Sequence, residues 1–380
     1  MTISVGSGGG GNSSTSSGGN TSVNGTTLDQ LRNSSCQGWS SEPESLPSLL
    51  QFVVDTSGSM GDMTPSTMGE TKWVRTREAL LASLAELPGS VGLGMLFYPN
   101  MDTPRSSMQQ PASACVRTDA LIPIALLGDA NSAHRMRLAS AINGIRPRSY
   151  TPTYDAYTSG AQLGLVPSML PGKRFMVLIT DGAPTLAAGC VMPNAGNNNQ
   201  QSVTPVDPQP IVDAIQIAFD AGIQTFVIGS PGSEESIGGQ DARVAWLSKA
   251  ARAGGTANAG CSDTGPNFCH IDLTQSSDFA AALKQSLSRI AGAVVQCSYE
   301  LPAPGQGQML DLNAINVVFT SGTGEQTLIG RSSDPACAQG WYLKDNSMVE
   351  LCSETCTQVK ADSKAGLELL FGCTSVPNVK

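Results

Sequence analysis

The sequence predicts an α/β protein: a doubly wound, mostly parallel central sheet flanked by helices, followed by a small, disulfide-stapled, β-rich C-terminal module. Three observations carry this. From residue 49, apolar runs of strand length alternate with helix-period stripes, the pattern of a parallel sheet covered on both faces. After residue 295 the pattern changes to short strand-like pieces. Five of the ten cysteines fall between Cys297 and Cys373, too many for so short a stretch unless they staple it.

Taken in order, the chain opens with a tract in which 26 of the first 35 residues are Gly, Ser, Thr or Asn. Such a tract buries too little apolar area to offset its ordering entropy, so 1–35 is expected to be a disordered tether. Strands are expected at 49–55, 91–98, 175–180, 224–228 and 270–273. Between them Trp73, Leu80, Leu84 and Leu87, then Ile211, Ile215 and Phe219, then Leu283, Leu287, Ile290 and Val294 make amphipathic stripes, and a surface helix is expected over 131–142. The tail reads as strands at 315–319, 341–343, 348–351 and 367–371, with a short helix near 355–362. The division expected is a tether over 1–35, an α/β domain with its lead-in over 36–296, and a cysteine-rich module over 297–380.

The chain carries 31 acidic against 22 basic residues, a net charge of -9, with no Lys/Arg cluster to neutralise phosphates; nucleic acid and anionic membrane surfaces are poor partners. No apolar run approaches the ~20 residues that cross a bilayer. The even cysteine count, without C-x-x-C spacing, reads as five disulfides and hence as secretion or residence in the cell envelope. No charged n-region followed by an apolar h-region is present, so an export signal is expected to have been removed. The Gly/Ser tract would then hold the folded part away from an envelope surface, in the manner of a lipoprotein tether.

The chemistry concentrates in three loops. The first strand ends in Asp55-Thr56-Ser57-Gly58-Ser59-Met60, the third in Thr180-Asp181-Gly182, and Thr151-Pro152-Thr153 precedes a helix expected to open at Tyr154. In an open α/β sheet, ligands bind outside the carboxyl ends of the strands, where the first two loops lie. Two carboxylates and three hydroxyls, completed by water, form an octahedral oxygen cage suited to Mg²⁺, with Mn²⁺ or Ca²⁺ as alternatives. Simple helix capping by the same residue types is the competing explanation.

These motifs, D-T-S-G-S, T-P-T and T-D-G in that order, resemble the von Willebrand factor A (VWA) domain and its metal ion-dependent adhesion site, over about 47–295. The resemblance implies that Ser57, Ser59 and Thr151 touch the metal directly or through water, and that Asp55 and Asp181 hold it by charge and coordinated water. Where that family usually has small glycines before its threonine, this chain has Ser149-Tyr150. The remainder is similar to secreted bacterial proteins in which such a domain is followed by a cysteine-rich tail.

The function expected is therefore a non-catalytic, adhesion-type module. In it a divalent cation keeps one position open for an Asp or Glu carboxylate of a partner protein. Loops 99–118 and 183–208, the second with the polar run 194–201, leave the same end of the sheet and would choose the partner. A structural envelope protein whose metal only rigidifies the loops is the alternative. A serine hydrolase is disfavoured: the chain has only His134 and His270 to serve as a base, and no G-x-S-x-G elbow. Sheet topology pairs the cysteines as Cys36–Cys297 at the end away from the metal, Cys115–Cys190 at the metal end and Cys261–Cys269 locally. Cys337, Cys352, Cys356 and Cys373 are left with their pairing open.

Overall fold

The structure, a computed structural model, describes residues 48–63, 69–170, 172–193, 195, 204–230, 242–257, 259–273, 281–283, 285–286, 290, 297–301, 311–321, 323–361 and 366–371, with the short strands 22–23, 26–27 and 40–41. The chain divides into two compact units, Ser45–Gln296 and a second made of Met1–Glu44 with Cys297–Lys380.

The first unit is built on a six-stranded sheet. Its strands are β1 (Ser48–Asp55), β2 (Gly92–Tyr98), β3 (Ile122–Leu126), β4 (Lys173–Thr180), β5 (Gln224–Gly229) and β6 (Ile271–Asp272). The order is β3-β2-β1-β4-β5-β6, and every pairing is parallel except that of β3 with β2. The edge strand β3 was not legible as a strand: it is five residues long and carries Pro123, which lacks a ladder donor and so belongs on an edge.

All eight residues of β1 are buried, as expected of a central strand covered twice. Leu50, Phe52 and Val54 join one core with Trp73, Leu80 and Leu84 of α1 (Lys72–Glu86) and Leu138 and Ile142 of α2 (Ala133–Gly144). Leu49 and Val53 join the other, with Ala156 and Tyr157 of α3 (Thr153–Ser159), Ile211 and Ile215 of α4 (Gln209–Asp220) and Trp246 and Leu247 of α5 (Ala242–Ala253). The period of two along β1 thus feeds two cores, one per face, and the sheet is doubly wound. Each buried aliphatic side chain contributes about 1.5–3 kcal/mol, so the strand that ends in Asp55 is held firmly in register.

A π-helical turn, Gly160–Leu165, continues α3 and packs close on β1. A Cβ at Gly164 would stand 2.3 Å from Gln51 Oε1 and one at Gly160 2.6 Å from Val53 Cγ2, so the approach needs both glycines.

The second unit contains an antiparallel sheet of β7 (Ser298–Glu300), β10 (Trp341–Lys344) and β11 (Met348–Leu351), in the order β7-β11-β10. Another joins β8 (Ile315–Thr320), β9 (Gln326–Ile329), β12 (Gly366–Phe371) and the strand Ser40–Ser41. Helix α6 (Ser353–Ala361) follows β11. Ser40–Ser41 pairs with Leu369 and Leu370 of β12, so the segment expected to lead into the α/β domain lies in the second unit instead. Most of the expected tether, 1–35, lies outside the described residues; within it Ser22–Val23 and Thr26–Thr27 form an antiparallel pair.

Among the described residues, four disulfides join Cys115–Cys190, Cys261–Cys269, Cys297–Cys356 and Cys337–Cys352. The first two are the pairs expected. The pairing Cys36–Cys297 is overturned, because Cys297 bonds Cys356. Cys297 immediately precedes β7, its carbonyl accepts the Leu351 N–H, and α6 then carries Cys356 back against it. The topological argument failed by treating Cys297 as the end of the first unit, when the chain had already entered the second. Cys36 and Cys373 lie outside the described residues. Among the described residues, no helix is long and apolar enough to cross a membrane.

Candidate metal centre

After β1 the chain proceeds to β2 on one side, and after β3 it crosses to β4 on the other. The strand order therefore reverses between β1 and β4, and in open α/β sheets ligands bind at the carboxyl ends of the strands at such a reversal. Asp55 ends β1, and Asp181 follows Thr180 at the end of β4. Both carboxylates are buried, Asp55 fully and Asp181 to within 3%.

Hydrogen bonds join four of the five expected ligands. The Ser57 N–H donates to Asp55 Oδ1 at 2.9 Å, Ser57 Oγ and Ser59 Oγ are 3.1 Å apart, and Ser59 Oγ donates to Asp181 Oδ1 at 3.0 Å. Asp55 Oδ2 accepts from Thr180 Oγ1 at 2.7 Å. Asp55 is thus met by neutral donors, with a second carboxylate close by. Burial, and then the charge of Asp181, push its carboxyl up to about 7, against the pull of the bonds from Thr180 and Ser57.

The fifth residue, Thr151, is placed through its backbone. Its loop docks on the β1 turn, where the Gly58 N–H donates to the Ser149 carbonyl at 3.1 Å and the Arg148 N–H to the Thr56 carbonyl at 3.0 Å. The Thr151 N–H donates to Thr185 Oγ1 at 2.7 Å, tying this loop to the one that follows Asp181. Thr151 stands outside the hydrogen bonds that join the other four. Ser149 takes φ +70°, the left-handed region that glycine adopts most easily, at the position where the resemblance led one to expect a glycine. The helix opens at Thr153, one residue before the expected start, and Thr153 Oγ1 and Tyr98 Oη are buried without a hydrogen-bond partner.

The residue that sequence reasoning missed is Lys72. Its ammonium lies 3.1 Å from Asp181 Oδ2, and both side chains are almost wholly buried. Burial raises the Asp181 carboxyl and Lys72 opposes that rise. Lys72 is the first residue of α1, where the helix macrodipole disfavours a cation, and the Asp181 carboxylate offsets that cost.

The donors fit a hard divalent cation. They are carboxylate and hydroxyl oxygens, and the site carries two carboxylates against one ammonium, so it lacks positive charge. A second grouping, Cys115, Asp155 and Cys190, is not a metal site: its sulfurs are bonded to each other. Asp155 instead accepts the N–H groups of Gly189 and Cys190 at 3.0 and 2.9 Å, anchoring the loop after Asp181 to α3. Further bonds, Gln110 N–H to the Gly189 carbonyl and Met192 N–H to the Ser106 carbonyl, fasten this loop to the one after β2. Of the polar run 194–201, all but residue 195 lies outside the described residues. His134 Nε2 contacts the Leu93 carbonyl at 2.7 Å and His270 Nδ1 contacts Ser248 Oγ at 2.9 Å.

No family model and no curated protein matches the chain. Among solved structures, it is similar to the pilus adhesin SpaC from Lactobacillus rhamnosus GG, at 15% identity and a TM-score of 0.44, over 86% of this chain and 38% of that one. It is also similar to a von Willebrand factor type A protein from Catenulispora acidiphila, at 11% identity and a TM-score of 0.40, over 88% and 59%. BatB from Bacteroides thetaiotaomicron is similar at 15% identity and a TM-score of 0.35, over 64% and 98%. The chain thus spans 38% of the length of the adhesin. The fold rests on the strand order and register given above, not on these distant likenesses.

Proposed function

We propose that this chain is an extracytoplasmic, non-catalytic binding module of the VWA type. In this reading Asp55, Ser57, Ser59, Thr151 and Asp181 form a metal ion-dependent adhesion site for a divalent cation, Mg²⁺ foremost, with Mn²⁺ or Ca²⁺ as alternatives. A bound ion would supply an electrophilic position for a carboxylate from outside. The chain's residues do the rest: the two Asp groups attract the ion, the neutral hydroxyls leave much of its charge unspent, and the disulfide-linked loops frame the partner protein's Asp or Glu.

The single observation that carries the reading is Asp55. A carboxylate wholly buried at the end of the central strand, beside a second one and met by neutral donors, is costly unless a cation joins it. The contacts of His134 and His270, with Leu93 and Ser248, support the non-catalytic part, because neither engages Ser57 or Ser59. Four disulfides among the described residues support an extracytoplasmic location.

The test is capture of a partner from the native cell envelope on immobilised protein, in Mg²⁺ and in EDTA, with Asp55→Ala as control. A partner held in Mg²⁺ and released by EDTA, and not held by the variant, is expected. A partner that survives chelation would favour a purely structural role for the ion.

A further inference from the structure

We propose that the Lys72 ammonium is the resident counter-ion of this site, holding one oxygen of Asp181 when no metal is bound and setting how weakly the site takes a divalent ion. The inference rests on the metal-site reading above.

The geometry is that of a built pair. Lys72 Nζ lies 3.1 Å from Asp181 Oδ2, with side-chain exposures of 4% and 2%. Its backbone is fixed as well: the Lys72 N–H donates to the Asp62 carbonyl at 3.0 Å, pinning the start of α1 to the turn that holds Ser57 and Ser59. Thr71 Oγ1 caps the helix by accepting the Val74 N–H. Its neighbour Trp73 is buried in the core and packs edge-on to Phe97, so the first turn of α1 cannot easily move away. Asp181 divides its oxygens, Oδ1 to Ser59 and Oδ2 to Lys72.

Charge counting gives the consequence. With Asp55 ionised the site holds two negative charges and one positive, a net of minus one. A divalent ion takes it to plus one, where without Lys72 it would reach neutrality. Lys72 therefore opposes loading and leaves the loaded site one charge in excess. A partner's single carboxylate removes that excess. The same lysine that weakens the ion alone favours the ion together with an acidic ligand, and it keeps the two aspartates from lying buried with no cation at all.

The experiment is a calorimetric titration of Mn²⁺ into the EDTA-treated, dialysed full chain, comparing the native protein with Lys72→Met and Lys72→Arg. Lys72→Met is expected to tighten Mn²⁺ by roughly tenfold or more, since even modest screening leaves a strong repulsion between an ammonium and a divalent ion a few ångströms apart. Lys72→Arg, which keeps the charge, is expected to stay near the native affinity. Binding in all three with Lys72→Met no tighter than native overturns the inference and leaves the metal site standing. Absence of binding in all three overturns the metal site and the inference with it. If Lys72→Met does not fold, Asp181→Asn with and without Lys72→Met carries the test by thermal unfolding in EDTA. The pair is expected to unfold at a higher temperature than Asp181→Asn alone, which strands the ammonium; a pair no more stable than the single variant overturns the assignment.

Discussion

Replacing Asp55 by Asn probes the electrostatic cost of the metal-free site. The Asp55 carboxyl moves from 3.8 to about 7 on folding, first through burial and then through Asp181. Below pH 4 it is protonated in both states and contributes nothing to their difference. Between about 4 and 7 the unfolded chain has lost this proton while the folded chain keeps it, so unfolding releases a proton and stability falls as pH rises. At about 1.4 kcal/mol per pH unit the loss comes to about 4 kcal/mol by pH 7. The amide of the Asp55→Asn variant cannot ionise and removes this slope. Urea unfolding in EDTA across pH 4–8 should show the native protein losing that much relative to Asp55→Asn. Parallel curves for the two proteins would refute the reasoning. In the presence of Mg²⁺ the native curve should flatten, because an ion that binds only ionised Asp55 stabilises the folded state where the empty site is weakest.

Asp181→Ala should abolish ion binding and also cost about 3–5 kcal/mol in EDTA, because it strands the Lys72 ammonium in the interior; denaturant unfolding and calorimetry read the two effects separately. Burial depresses His270 from 6.5 to about 4, so as pH falls through that window the unfolded chain takes up a proton that the folded chain refuses. His270→Gln should therefore remove about 3 kcal/mol of acid-induced destabilisation between pH 6.5 and 4. Ser149→Gly should stabilise the protein by about 0.5–1 kcal/mol, relief of the left-handed backbone at φ +70° exceeding the added chain entropy; a lower unfolding temperature would contradict this.

The sheet was legible because β1, β2, β4 and β5 each carry a run of apolar residues of strand length, such as Phe52–Val54 and Phe175–Ile179, and their flanking helices repeat apolar residues every three or four positions. The edge strand β3 escaped notice because Ile122–Leu126 is only five residues long and interrupted by Pro123, which cannot donate to a ladder. Strands β7 and β9, three and four residues long, are too short to show a period of two. At the site, Asp55, Ser57, Ser59 and Asp181 were legible because each sits at a fixed offset from the end of a strand. Thr151 was legible as a motif, yet its position depends on the Gly58 N–H bond to the Ser149 carbonyl and the Thr151 N–H bond to Thr185 Oγ1, which no motif encodes. Lys72 was missed because the segment between the Asp55 turn and α1 hides its distance from Asp181, 109 residues away in sequence. The misassigned Cys297 has a similar origin: β7 begins one residue after it, and a strand that short leaves no mark.

The central claim, that Asp55, Ser57, Ser59, Thr151 and Asp181 share one divalent ion, is tested most directly by electron paramagnetic resonance. Mn²⁺ is titrated into the EDTA-treated, dialysed chain, and the signal of the free ion is followed in the native protein and in Asp55→Ala. The account predicts one ion bound per native chain, displaced by excess Mg²⁺, and no bound ion at the same concentrations in the variant. A native chain that leaves all the Mn²⁺ free, or a variant that binds as the native chain does, would contradict it.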